Sequence, residues 1–257
     1  LGMETIFSDM SFALIGLAYA IALGAGVVKG MVGFAMPMIL ISGLSSIMAP
    51  ELALAGLIVP TLVTNGMQSL RQGSSAAIAS VRKFRVFLGA GFVMLLVSAQ
   101  FVRALPGDIM LLLIGAPVAV FVLVQLFGLR LHLEAASARL EVLIGGFAGV
   151  IGGISGVWGP PTVLYLTALN TEKTEQIRVQ GVIYGLGAVA LFFAHIASGV
   201  LNWATFLFSL SLVPPAVMGM WIGGRIHDRI DQESFRRATL VVLLLAALNL
   251  VRRAVFG

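Results

Sequence analysis

Residues 149–166, GVIGGISGVWGPPTVLYL, lie in a long apolar run that no single straight helix can carry. Gly149, Gly152, Gly153, Gly156 and Gly159 recur through it, and Pro160 and Pro161 follow. In a helix interior, glycine costs about 1 kcal/mol relative to alanine and proline about 3 kcal/mol. A break at membrane depth frees backbone N–H and C=O groups that lipid cannot satisfy. It must therefore face protein or a watery cavity. Interrupted helices of this kind mark substrate sites in secondary transporters.

The setting is a membrane. The chain is 59% hydrophobic and 11% charged, where soluble domains carry about 25% charged residues. Several runs reach the roughly 18 to 20 apolar residues that span a bilayer. Strand alternation is absent, which argues against a membrane barrel. The net charge of +5 does not point to nucleic acid, because the charges fall in short connections between apolar runs, where they set topology. There is no cysteine, so disulfides and thiolate ligands are excluded. Leu1 and Gly2 precede Met3, the expected native start, and the first apolar run reads as a retained helix.

Apolar segments run at about 11–28, 34–48, 52–70, 84–102, 109–127, 140–154, 160–169, 180–198, 203–222 and 236–251. The second and seventh are short of a full span, and each follows a glycine-rich break. Shifting the first half forward by 126 positions lays Gly26, Gly30 and Gly33 on Gly152, Gly156 and Gly159, and Lys29 on Ser155. The expected fold is an all-α polytopic membrane protein built as two inverted repeats. Each repeat is a glycine-broken helical hairpin followed by three transmembrane helices. A tail at 1–10 precedes the first repeat at 11–127, a cytoplasmic loop at 128–139 connects, and the second repeat occupies 140–257.

Charge placement supports this arrangement. Arg71, Arg82, Lys83 and Arg85 mark one connection as cytoplasmic; Arg130 and Arg139 mark a second, and Arg225, Arg229, Arg236 and Arg237 a third. Arg252 and Arg253 fall on the outside and run against the count.

Lys29, inside GVVKGMVGFAMP, is a basic residue well within an apolar run. A charge at membrane depth costs about 2.5–3.5 kcal/mol on insertion scales and usually faces a cavity. With Gly30 and Gly33 beside it, and a short helix starting after them, it forms a cationic half-site for an anion. The alternative is a lysine that snorkels to the interface. In the second break, Ser155, Gly156, Trp158, Gly159 and Pro160 form the other half-site; close helix packing through small residues is the alternative. Thr61, Asn65, Gln68 and Gln72 make one polar helical stripe, of which Asn65 and Gln68 are the candidates for the substrate path. Arg178 and Tyr184 lie on the segment after the second break, and Arg178 also suits an interfacial anchor. His195, deep in that segment, is the candidate proton carrier, with a structural interhelical bond as the alternative.

Gly153-Ile-Ser155-Gly156 also reads as GxSG with Ala194-His195 downstream, which resembles the Ser–His pair of rhomboid intramembrane proteases. The companion His-x-x-x-Asn motif is missing. No Walker phosphate loop or His-Glu-x-x-His zinc motif occurs, and no cofactor or metal is expected.

The stretch GGISGVWGPPTVLYLTALN, the polar turn TEKTEQIRVQ after it and the C-terminal run GGRIHDRIDQESFRRATLVVLLLAALNLV resemble the TauE/SafE sulfite-exporter family, also called the toluene-sulfonate uptake permeases. GVVKGMVGFAMP matches more loosely, with Phe34 and Ala35 where many members carry glycine. The resemblance implies a non-enzymatic secondary transporter, an exporter of sulfite, thiosulfate or organosulfonates, in the bacterial cytoplasmic (inner) membrane. Its partners would be a small anionic substrate and the lipid bilayer, with a proton as candidate coupling ion, no nucleic acid, and a homo-oligomer admitted. A passive anion channel is the alternative function.

Overall fold

The computed structural model describes residues 10–33, 35–70, 74–128, 133, 137–171, 173–226 and 232–256. All secondary structure among them is helical. The first half holds α1 (Phe12–Val32), α2 (Met36–Ser45), α3 (Pro50–Leu70), α4 (Ser74–Lys83), α5 (Arg85–Ala99) and α6 (Gly107–Leu126). The second holds α7 (Ala138–Ser155), α8 (Gly159–Ala168), α9 (Lys173–Ser198), α10 (Trp203–Ser211), α11 (Val213–Ile226) and α12 (Gln232–Phe256). Among the described residues, eight stretches are long and apolar enough to cross a bilayer. The chain is an all-α, multi-pass membrane protein. Phe92, Phe147, Phe193, Trp203 and Trp221 are exposed on its outer surface, as lipid-facing side chains are. Gln72, Arg71, Arg130 and Arg229 lie outside the described residues.

Local chemistry sets the helix ends. Ser11 caps α1 by accepting from the Leu14 N–H at 3.3 Å, and Ser137 caps α7 the same way through Leu140. Asn202 and Thr205 form a reciprocal capping box at α10. An alanine-rich helix, α4, occupies the connection that reads as a plain loop in the sequence.

The breaks are shorter than the glycine rows that announce them. Helix α1 runs through Gly26 and Gly30 and stops at Gly33, whose φ of 79° is left-handed and whose N–H closes onto the Lys29 carbonyl at 2.8 Å. Helix α7 likewise runs through Gly149, Gly152 and Gly153 and stops at Gly156, with φ 71° and its N–H on the Gly152 carbonyl at 2.8 Å. Left-handed glycine after the last helical residue is the standard stop signal. By these ends Gly33, Met36 and Ser45 correspond to Gly156, Gly159 and Ala168. Counted from these helix ends, the offset between the two broken hairpins is three positions shorter than the 126-residue shift.

The glycines inside the helices serve packing. A Cβ on Gly26 or Gly30 would strike the α11 backbone at Ala216 and Met220, and one on Gly219 or Gly223 would strike α1 at Leu23 and Val27. On the other side of the molecule, Gly145, Gly149 and Gly153 lie against Phe87, Gly91 and Leu95 of α5. In both pairs the contacts advance by one turn together, so α1 runs parallel to α11 and α7 parallel to α5. Small residues let such backbones approach closely.

Each break reverses the chain. Gly43 of α2 abuts Ile21 of α1, and Leu44 abuts Gly56 of α3. The end of α8 returns to the start of α7, where the Tyr165 hydroxyl donates to Glu141 at 3.4 Å. Helices α2 and α8 have ten residues each, about 15 Å, or half a hydrocarbon core.

Three contacts order the ends. Arg103 pairs with Glu51 at 3.8 Å at one end of the bundle, and Lys83 pairs with Glu175 at 2.6 Å at the other. Arg253 donates to the Ser45 carbonyl. This arginine, odd in the charge count, completes the C-terminus of α2, where a cation and a donor are both favourable.

Candidate functional site

The two breaks meet. A cavity with about 20 Å³ open to a water-sized sphere lies between them. Helix α1 contributes Lys29, the first break contributes Ala35, and the start of α2 adds Pro37 and Met38. Helix α3 contributes Asn65 and α9 contributes Tyr184. The second break supplies Gly156, Val157, Trp158 and Gly159.

Lys29 is the charged group of this site. It sits one turn before the left-handed stop at Gly33 and is only 4% exposed. Its ammonium donates to Asn65 Oδ1. Asn65, 1% exposed, donates through Nδ2 to the Tyr184 carbonyl at 3.3 Å. The Tyr184 hydroxyl in turn donates to the Gly159 carbonyl at 3.5 Å. Lysine, amide, tyrosine and the second break thus form one connected polar chain. Among the described residues, no carboxylate lines the cavity. A buried cation is usually paired with an acid; this one is held by an amide, which leaves its positive charge uncancelled.

The short helices offer fewer backbone donors than their N-termini suggest. The first turn of a helix has N–H groups without intrahelical partners. Pro37 in α2 and Pro160 and Pro161 in α8 have no N–H to give. The donors left near the cavity are those of Met36 and Met38 on one side and Gly159 on the other.

Six residues singled out in the sequence line the cavity together: Lys29, Asn65, Gly156, Trp158, Gly159 and Tyr184. Others do not. Gly30 packs against Met220 and Gly224 of α11. Gly33 is the helix stop, with the Gln68 amide beside it outside the cavity lining. Ser155 is turned into its own helix, donating to the Ile151 carbonyl at 2.7 Å and accepting from the Val157 N–H at 3.2 Å. Pro160 is buried in the first turn of α8. Arg178 belongs to α9, and its side chain is outside the described residues. His195 is fully buried, with Nδ1 3.2 Å from the Ser198 hydroxyl; its ring lies by the Gly153 backbone, away from the cavity. Ser155 and His195 therefore engage separate partners, and the Ser–His pair of a protease is not formed.

Ala35, Pro37, Met38 and Val157 line the cavity without having been singled out. Their signal is positional only, since each sits within a few residues of a break. Ala35 holds φ 75°, a left-handed conformation that glycine adopts without cost.

A family model described as Sulfite exporter TauE/SafE matches residues 18–250. No curated protein and no solved structure matches the chain.

Proposed function

The chain belongs to the TauE/SafE sulfite exporter family, and on that footing we propose that it is a secondary transporter of small sulfur-containing anions such as sulfite, thiosulfate or organosulfonates. The direction of the proposal is export across a bacterial cytoplasmic membrane. The observation that carries it is Lys29: a buried ammonium held by an amide, in a cavity bounded by both helix breaks and lined by no carboxylate among the described residues. Such a site favours an anion, which supplies the missing negative charge. Asn65, Gly159 and Tyr184 complete the polar surround.

Alternating access would come from two inverted halves rocking about this site. The helix directions support that reading. Helix α1 runs parallel to α11, α7 runs parallel to α5, and each broken hairpin turns back on itself, α2 to Ile21 of α1 and α8 to Glu141 of α7. Proton coupling through His195 belongs to the same proposal. Replacing it by Phe should keep anion binding and abolish accumulation driven by a pH gradient; intact gradient-driven accumulation would remove His195 from the mechanism.

The test of the main reading is Lys29→Ala in purified protein, titrated with sulfite, thiosulfate and taurine. Affinity should fall at least tenfold. Unchanged affinity would remove the lysine, and with it this site, from the function. Accumulation against a gradient in proteoliposomes separates a transporter from a passive channel.

A further inference from the structure

Beside the polar cavity lies a second, larger, apolar one of about 370 Å³ between α5, α7, α8 and α9, open on the outer face where Phe92, Leu186 and Val189 are exposed. Its walls are almost wholly apolar, including Phe87, Leu95, Ile183 and Ala190. Among the described residues, Trp158 alone lines both cavities. Trp158 therefore stands between them. The ring is held by glycines on two sides. A Cβ on Gly152 of α7 would lie 2.9 Å from its Cε3, and one on Gly187 of α9 would lie 2.8 Å from its Cε2.

The polar cavity is too small for its proposed cargo. About 20 Å³ open to a water-sized sphere accommodates little more than one water. An anion with three oxygens around sulfur is larger, so a wall has to give way. Lys29, Asn65 and Tyr184 are tied by hydrogen bonds, and Met38 is packed in the core. Trp158 instead borders an apolar groove that opens toward the outer face between Phe92, Leu186 and Val189.

We propose that Trp158 is the movable, size-selecting wall of the anion site, and that the apolar cavity is the space its indole enters when an anion binds. With the indole in place, the site takes a compact anion; without it, the two cavities merge and accept an anion bearing a large apolar substituent. The inference rests on the transport reading above and assigns the specificity of that same site.

The experiment compares methanesulfonate with naphthalene-2-sulfonate on purified full-length protein. Wild type should bind methanesulfonate and discriminate against the naphthalene compound. Trp158→Ala should raise relative affinity for the bulky anion about tenfold or more, the size of change that an added apolar pocket contact produces. Ala190→Phe, which adds bulk to the wall of the second cavity, should reverse that gain in the Trp158→Ala background. A second readout leaves the wall intact. Trp203 and Trp221 lie exposed on the outer surface, so a Trp203→Phe, Trp221→Phe protein keeps Trp158 as its single indole. Methanesulfonate should then shift its emission to the blue. An unchanged size preference in Trp158→Ala that still binds methanesulfonate, or constant emission despite binding, overturns the Trp158 inference alone. Failure of wild type to bind either anion overturns the transport reading together with it.

Discussion

Lys29 and Asn65 face each other across the gap between α1 and α3, the ammonium donating to the amide oxygen, while the amide nitrogen reaches across to the Tyr184 carbonyl on α9. One side chain thus holds a buried cation and ties the two halves together. Asn65→Asp changes few atoms and reverses the electrostatics: a carboxylate beside Lys29 would supply internally the charge that an anion would bring. Anion affinity should fall at least tenfold by isothermal titration, with little change in folding, since a paired buried ion is tolerated far better than an unpaired one. Equal affinities in the two proteins would mean that the lysine charge is not what the ligand meets.

Ala35 carries a left-handed φ of 75° at the N-cap of α2. Such conformations cost a non-glycine residue of order 1 kcal/mol. Ala35→Gly should therefore raise the thermal midpoint or leave it unchanged, despite glycine's larger unfolded-state entropy. Ala35→Val, with a branched Cβ at the same angle, should lower it. A large loss of stability in Ala35→Gly would show that the alanine methyl packs for a purpose the backbone angle does not reveal.

The broken helices were legible in the sequence for a physical reason: glycine supplies the left-handed residue that stops one helix, and proline, with no N–H to give, suits the first turn of the next. The two short helices and the long spans follow from apolar length. The extent of each break was not legible. Gly26, Gly30, Gly149 and Gly153 read as break residues, yet they lie inside helices against backbones from the opposite half. A glycine row has the same sequence signature whether it ends a helix or lets another helix approach. Only tertiary contacts separate the two. The Lys29–Asn65 meeting was only partly legible. Each residue stood out as polar in an apolar run, but nothing local says that α1 and α3 present them to each other.

The packing role of these glycines makes a paired prediction. Gly149→Ala places a methyl against the Gly91 carbonyl, where backbone and not a flexible side chain must yield. Overpacking of this kind costs about 1–3 kcal/mol. Gly24 lies on α1 with open space around it, so Gly24→Ala should be neutral or stabilising by up to about 1 kcal/mol. Thermal unfolding of the two variants in the same detergent reads the difference. Similar midpoints would mean that α5 and α7 separate at little cost.

Arg253 separates stability from function. Its guanidinium is part-buried and donates to the Ser45 carbonyl, joining the end of α12 to the end of α2. Hydrogen bonds from charged groups contribute about 1.5–3 kcal/mol, and a cation at a helix C-terminus adds to that. Arg253→Gln keeps a donor and removes the charge; Arg253→Ala removes both. Thermal midpoints should fall in the order wild type, Gln, Ala, with the loss in Ala near the bond's value. Anion affinity should hold, because Arg253 lines neither cavity and binds the end of α2 opposite to Met36 and Pro37. A loss of affinity out of proportion to the loss of stability would instead mean that the anchored end of α2 sets the position of its first turn at the site.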